Sequence, residues 1–263
     1  VDTVYLNIKG NSLEKSQMMI LDLLANFDWK RPIAFTQVYV LQELGLLDYL
    51  QFDGYSYRLV PILTPYKNSW EIGRIDPDYV YPLMMDTFRY GNLADEDVLV
   101  DHFTQYNIGA SRAREGFARL AKQLAREGER EKALEMLDKG LEVLPPSKLR
   151  YSDSNTYPFI EGYYSIEEWE KGDKLLTDYL DTLIEYIEYY LQFDNMQAAL
   201  VSSIIEEKMD SLMELYYLAA YAQRDDILSF MNDYLRTFGY TDDELIMPGT
   251  APSEMLDIPA VDF

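Results

Sequence analysis

The sequence predicts an α+β fold, predominantly α. A small N-terminal α/β lobe is expected over residues 1–100, an antiparallel helical array over 101–240 and an extended tail over 241–263. Three observations predict it. Runs of β-forming residues broken by Gly and Pro are confined to the first hundred positions. From Asn107 onward apolar residues recur at helical spacing almost throughout. Within that stretch, Arg114 to Pro145 has the composition of two helices folded side by side. Small residues at Ala121, Ala133 and Gly140 permit close approach, while Phe117 and Leu137 fill the gap.

In chain order, Val4–Ile8 predicts a short strand ended by Gly10 and Asn11. Asn11 or Ser12 can cap a helix through about Ala25, in which Leu13, Met18, Leu21, Leu24 and Ala25 form one apolar stripe. Pro32 marks a break, Ile33–Val40 is rich in β-formers, and Tyr55–Val60 alternates by side between Gly54 and Pro61. Pro65, Gly73 and Pro77 mark a connecting loop. Asp76 or Asp78 caps a short helix through Phe88, and Gly91–Asp101 is an acidic loop. The hairpin helices run over 105–127 and 130–143, stopped by Pro145-Pro146. A long helix is expected from Ile166 to about Phe193, then helices over 197–223 and 225–238 with Gly239 ending the last.

The hairpin pattern resembles a tetratricopeptide repeat (TPR). With Arg114 as position 1, Phe117, Leu120, Ala121, Leu124, Ala133, Leu137, Gly140 and Pro145 stand at positions 4, 7, 8, 11, 20, 24, 27 and 32. A worn second copy follows when Gly172 takes position 20, with Tyr163 and Leu176 fitting and Thr156 and Ile160 matching poorly. Such repeats hold peptides along the face made by each first helix. The resemblance therefore implies a concave face of Ala118, Lys122, Ala125, Tyr157, Glu161 and Tyr164, with Lys122, Tyr157, Glu161 and Tyr164 as the binding residues.

The formal net charge of −23 is unevenly placed: residues 1–100 carry −6, 101–150 carry +2 and 151–263 carry −19. That last segment would repel a phosphate backbone or an anionic lipid surface, and no basic stripe offsets it, so no nucleic-acid partner is expected. The absence of cysteine excludes disulfides, thiol catalysis and zinc–thiolate sites. No run of about 18 apolar residues could span a bilayer. Val1-Asp2-Thr3-Val4 shows no signal peptide and reads as the start of a trimmed or processed chain.

The N-terminal segment carries a second resemblance. The runs Met18–Leu24, Asp28-Trp29-Lys30-Arg31-Pro32-Ile33, Leu44–Leu50, Tyr57-Arg58-Leu59-Val60-Pro61-Ile62 and Gly73-Arg74-Ile75-Asp76 occur in one order. That order resembles the soluble C-terminal portion of a bacterial family of large multi-spanning membrane proteins. Those proteins are similar to GT-C glycosyltransferases that use lipid-linked sugars, and are related to protein O-mannosyltransferases. The resemblance implies a TPR-like tail, a place on the periplasmic face of the inner membrane, an accessory role beside the membrane portion of the same polypeptide, and a signature patch of Trp29, Arg31 and Arg58. It transfers no catalytic residue, because the catalytic loop of that family lies among membrane spans.

Other candidates are weighed singly. His102 is the only histidine, which excludes a His triad or a multi-His metal site. Asp95, Glu96, Asp97 and Asp101 lack the glycine and terminal Glu of an EF-hand loop, and Asp242-Asp243-Glu244 reads as a helix cap; no metal is expected at either. No phosphate loop, dinucleotide motif or nucleophile elbow is present, and no cofactor is implied. Trp29 can plug a helix–strand junction with Arg31 paired to Asp28 or Asp48, or the two can form a recognition patch. Tyr179, Tyr186, Tyr189, Tyr190 and Phe193, interleaved with acids, suit a core stripe or a sugar- or peptide-binding face. The expected function is a non-catalytic domain that binds or orients an acceptor protein, or a glycan acceptor, or stabilises the membrane portion. The alternatives are a free-standing TPR adaptor in a cell-envelope assembly and a carbohydrate-active enzyme using paired carboxylates.

Overall fold

The computed structural model describes residues 3–8, 11–66, 72–101, 103–104, 110–153, 155–193 and 195–249. Helix predominates, with one small antiparallel sheet, and the chain divides into two compact units, Val1–Gly91 and Asn92–Phe263.

In the first unit, helix α1 (Lys15–Ala25) starts one residue after Glu14. Asn11 and Ser12 do not cap it. Gln17 reaches back to the Glu14 amide at 2.8 Å while Glu14 accepts from the N3 amide, and this reciprocal box fixes the start. The expected strand Val4–Ile8 does not form. Tyr5, Leu6 and Ile8 are exposed, and Asn7 N–H donates to the Leu44 carbonyl (3.0 Å), too little for a ladder. Of the β-rich run Ile33–Val40, only β1 (Ala34–Phe35) pairs; the chain then turns into the one-turn helix α2 (Tyr39–Gln42). Strands β2 (Leu50–Phe52) and β3 (Tyr57–Leu59) complete an antiparallel sheet of order β1-β3-β2, with Leu50 opposite Leu59 and Phe52 opposite Tyr57. Leu41, Leu44, Leu46, Leu50, Phe52 and Leu59 form its core, with Ile20, Leu21 and Leu24 of α1 packed against them. Helix α3 (Pro77–Pro82) follows, its first turn pre-set by Pro77, and Pro82 hands the chain to a π turn over Leu83–Thr87.

The second unit is built from helices α4 (Ala110–Arg126), α5 (Arg130–Val143), α6 (Tyr157–Ser165), α7 (Trp169–Leu191), α8 (Asn195–Tyr221) and α9 (Asp225–Arg236). They form three hairpins joined by one and the same turn. Gly128, Glu167 and Gln223 have φ of 81°, 59° and 54°. The next residues, Glu129, Glu168 and Arg224, have φ/ψ of −85°/58°, −88°/62° and −87°/70°. Their amides donate to the carbonyls of Leu124, Tyr163 and Ala219, each at 2.9 Å. A left-handed residue followed by a back-donated amide closes the first helix and aims the second alongside it.

This turn sets a common register. Phe117, Ala121, Ala133 and Leu137 are fully buried, as are the matching Thr156, Ile160, Gly172 and Leu176 and the matching Leu212, Tyr216, Leu228 and Asn232. The third seam is polar but satisfied, since Tyr216 donates to Asn232 Oδ1 at 2.8 Å. Gly140 is needed where hairpins meet: a Cβ there would lie 2.8 Å from Phe159 Cζ and 2.9 Å from Phe117 Cβ. Helix α7 begins at Trp169, not Ile166, because Glu167 takes the left-handed turn conformation. After α9 the chain runs back: Leu245 is buried, Ile246 donates to the Tyr216 hydroxyl and accepts from Asn232, and Gly249 N–H reaches Asp225 at 3.0 Å. The expected tail beyond Gly249, with Pro252 and Pro259, lies outside the described residues.

Candidate functional site

In the second unit, three of the four residues expected to bind gather on one face. Lys122 of α4 pairs with Glu161 of α6 at 3.0 Å, both partly exposed. Tyr157 lies one turn before Glu161 on α6, and burial raises its phenol pKa, with the charges of Glu161 and of Glu214 on α8 adding to the rise. Glu214 is exposed on α8, yet its carboxyl is pushed up by partial desolvation and then by Asp153 and Asp210. Asp153 is held in place by Tyr179 Oη at 2.6 Å and Ser211 Oγ at 2.7 Å. The face therefore runs from Lys122 through Glu161, Tyr157 and Glu214 to Asp153.

Tyr164 does not join it. It is 7% exposed, donates to Asp173 at 2.8 Å and lies 5.7 Å from the Trp169 ring. On the nine-residue α6, Tyr163 and Tyr164 are buried whereas Glu161 stays partly exposed. Ala118 is likewise buried, so α4 contributes Lys122 and not a smooth alanine floor.

Sequence reasoning missed Glu214, Asp153 and the buried Arg114. Arg114 is 1% exposed; it donates to Asn155 Oδ1 at 3.2 Å and to the Leu144 carbonyl, tying α4 to the loop that leads into α6. Burial lowers its guanidinium pKa to about 10. The signal that could have found Glu214 is the recurring turn, which places α8 in register with α4 and α6.

In the first unit Arg58 and Trp29 have different partners. Arg58 of β3 forks onto Asp53 (Nε to Oδ2, 2.9 Å) and stacks over the Tyr79 ring at 4.5 Å. Asp53 also accepts from the buried Gln51, which accepts from Arg74. This chain of charge-assisted bonds locks the β2–β3 hairpin to the segment at Arg74. Trp29 is 47% exposed and does not plug the helix–strand junction; it lies against Phe27 at 4.5 Å, with φ of 61°. Asp28 pairs with Lys30 at 3.1 Å, not Arg31, and the exposed Arg31 has no ion pair among the described residues.

The remaining candidates are accounted for locally. His102 lies outside the described residues. Asp101 caps Thr104, and Lys148 Nζ binds the carbonyls of Glu96 and Val98. Asp242 pairs with Arg236, and Glu244 accepts from Thr241. Of the aromatic–acidic helix, Tyr179 is core while Tyr189 is 55% exposed. Among the described residues no group of three or more His, Asp or Glu is placed to hold a metal, and no helix is long and apolar enough to cross a membrane.

Residues 1–79 match the family described as TMEM260-associated domain 2. The match links the first unit to TMEM260-like proteins, which are related to protein O-mannosyltransferases. No curated protein and no solved structure matches the chain.

Proposed function

We propose that this chain is a non-catalytic accessory region of a GT-C-like membrane glycosyltransferase, set on the periplasmic side, whose TPR-like unit binds or orients a polypeptide acceptor. The observation that carries the binding role is the face itself. Lys122, Glu161, Tyr157 and Glu214 come from three successive first helices and stay at the surface, while every seam residue beneath them is buried. The link to a glycosyltransferase rests on the match of residues 1–79.

Two measurements test the reading. The reading frame upstream of Val1 is expected to encode several apolar segments of about 20 residues; a secretory signal alone would favour a free-standing adaptor. Binding of the whole chain to an array of random dodecapeptides is expected, and Tyr157→Ala should weaken it while leaving the far-ultraviolet dichroism unchanged. Glycoside hydrolysis by the chain alone, lost in Glu214→Gln, would overturn the non-catalytic role.

A further inference from the structure

We propose that the binding face extends over a third hairpin and takes an extended polypeptide that carries lysine or arginine where it crosses α8. The proposal deepens the reading above and rests on it. Its first support is the register set by the three turns. Lys122, Glu161 and Tyr217 each stand six residues before the left-handed residue of their hairpin, and Ala118, Tyr157 and Met213 each stand ten before it. Helix α8 is thus the third first helix of the array, and Tyr217, 42% exposed, occupies the place that Lys122 and Glu161 hold on the other two.

The second support is charge. At the α4 end two carboxylates have cations: Glu161 has Lys122 at 3.0 Å, and Glu115 has Arg119 at 3.8 Å. Toward α8 the balance fails. Asp153 and Asp210 lie close enough to Glu214 to act on its carboxyl, and none of the three has an ion pair among the described residues. Asp153 is engaged by Tyr179 and Ser211, which leaves Asp210 and Glu214 exposed on α8, with Tyr217 one turn after Glu214 and Tyr157 near enough to feel the charge of Glu214. Carboxylates beside one exposed phenol ring and one half-buried one suit an ammonium or guanidinium group, which pairs with the first and stacks on the rings. An acidic segment would meet like charge along the same stretch.

The dodecapeptide array on the whole chain tests this. The bound set is expected to be enriched in Lys and Arg, and Asp210→Asn with Glu214→Gln is expected to weaken a basic binder about fivefold, in line with exposed charge pairs. Tyr157→Ala should weaken all binders, basic or not. If peptides bind without charge preference but still depend on Tyr157, the basic specificity is wrong and the peptide-binding role stands. If basic peptides bind the double variant as well as the parent, the preference reflects the overall charge of −23 and the proposal is overturned. If nothing binds, both readings are overturned.

Discussion

At the scale of single residues, the second hairpin depends on an absent side chain. A Cβ on Gly172 would stand 2.4 Å from Cε1 and 2.6 Å from Cδ1 of Tyr164. That ring cannot swing away cheaply, because its hydroxyl is held by Asp173 and its face lies near Trp169. Gly172→Ala is therefore expected to destabilise the fold by about 1–3 kcal/mol, the range for overpacking a filled core, despite the gain in helix propensity. A lowered urea midpoint at constant slope would show it; an unchanged midpoint would mean that the ring is not confined. Gly140 was legible from the sequence as a close approach, and so were Phe117 and Leu137 as seam residues. Arg114 was not, because a buried arginine bonded to neutral oxygens leaves no trace in spacing or composition.

At the scale of elements, one turn is used three times but only Gly128 advertises it. Glu167 and Gln223 adopt the same left-handed conformation with a Cβ, which costs roughly 1–2 kcal/mol per residue relative to an unstrained backbone. Gln223→Gly is expected to stabilise the chain by about 0.5–1 kcal/mol, once the glycine's own entropy is set against the relieved strain. Gly128→Ala, at φ of 81°, is expected to destabilise it by about 1 kcal/mol. Both are read from urea midpoints, and a destabilised Gln223→Gly variant would refute the shared-turn account. Gln223 is the cleaner site, since Glu167 also pairs with Arg130. The same fact explains which helices could be read in advance. Gly128 breaks the helical pattern of the first hairpin in the sequence itself, whereas Glu167 reads as ordinary helix, so α7 starts three residues later than the spacing predicts. In the first unit, β2 is not legible from alternation because Leu50, Gln51 and Phe52 are all buried. The run Val4–Ile8 has β-propensity but no partner strand, and so makes only extended chain. The open face was half legible: Lys122, Tyr157 and Glu161 follow from the repeat pattern, but Asp153, Glu214 and Tyr217 depend on a third hairpin that carries no glycine at its turn.

At the scale of the whole molecule, the 23 tyrosines make stability sensitive to alkaline pH. Burial raises the phenols of Tyr55, Tyr151 and Tyr234 from 10 to about 12. It raises those of Tyr90, Tyr157, Tyr163, Tyr164, Tyr179 and Tyr216 as well. Asp138, Asp173 and Asp153 accept from three of these hydroxyls and oppose their ionisation further. Above pH 10 the unfolded chain releases phenolic protons that the folded chain retains. The native state then binds more protons, and stability falls as pH rises through the raised values. Arg114 acts in the opposite sense. Its guanidinium is lowered from 12.5 to about 10, so folding gains as that group is neutralised over the same window. A single group cannot offset so many phenols distributed over both units, and the growing negative charge on a chain already at −23 adds repulsion of the same sign as the tyrosines. The expected result is a urea midpoint that declines steadily from about pH 10 upward. In parallel, the tyrosinate absorbance of the raised phenols should appear only with loss of helical dichroism. A midpoint that holds or rises between pH 10 and 12 would mean that these hydroxyls are not held in the interior, and with them would go the buried seams on which the three hairpins rest.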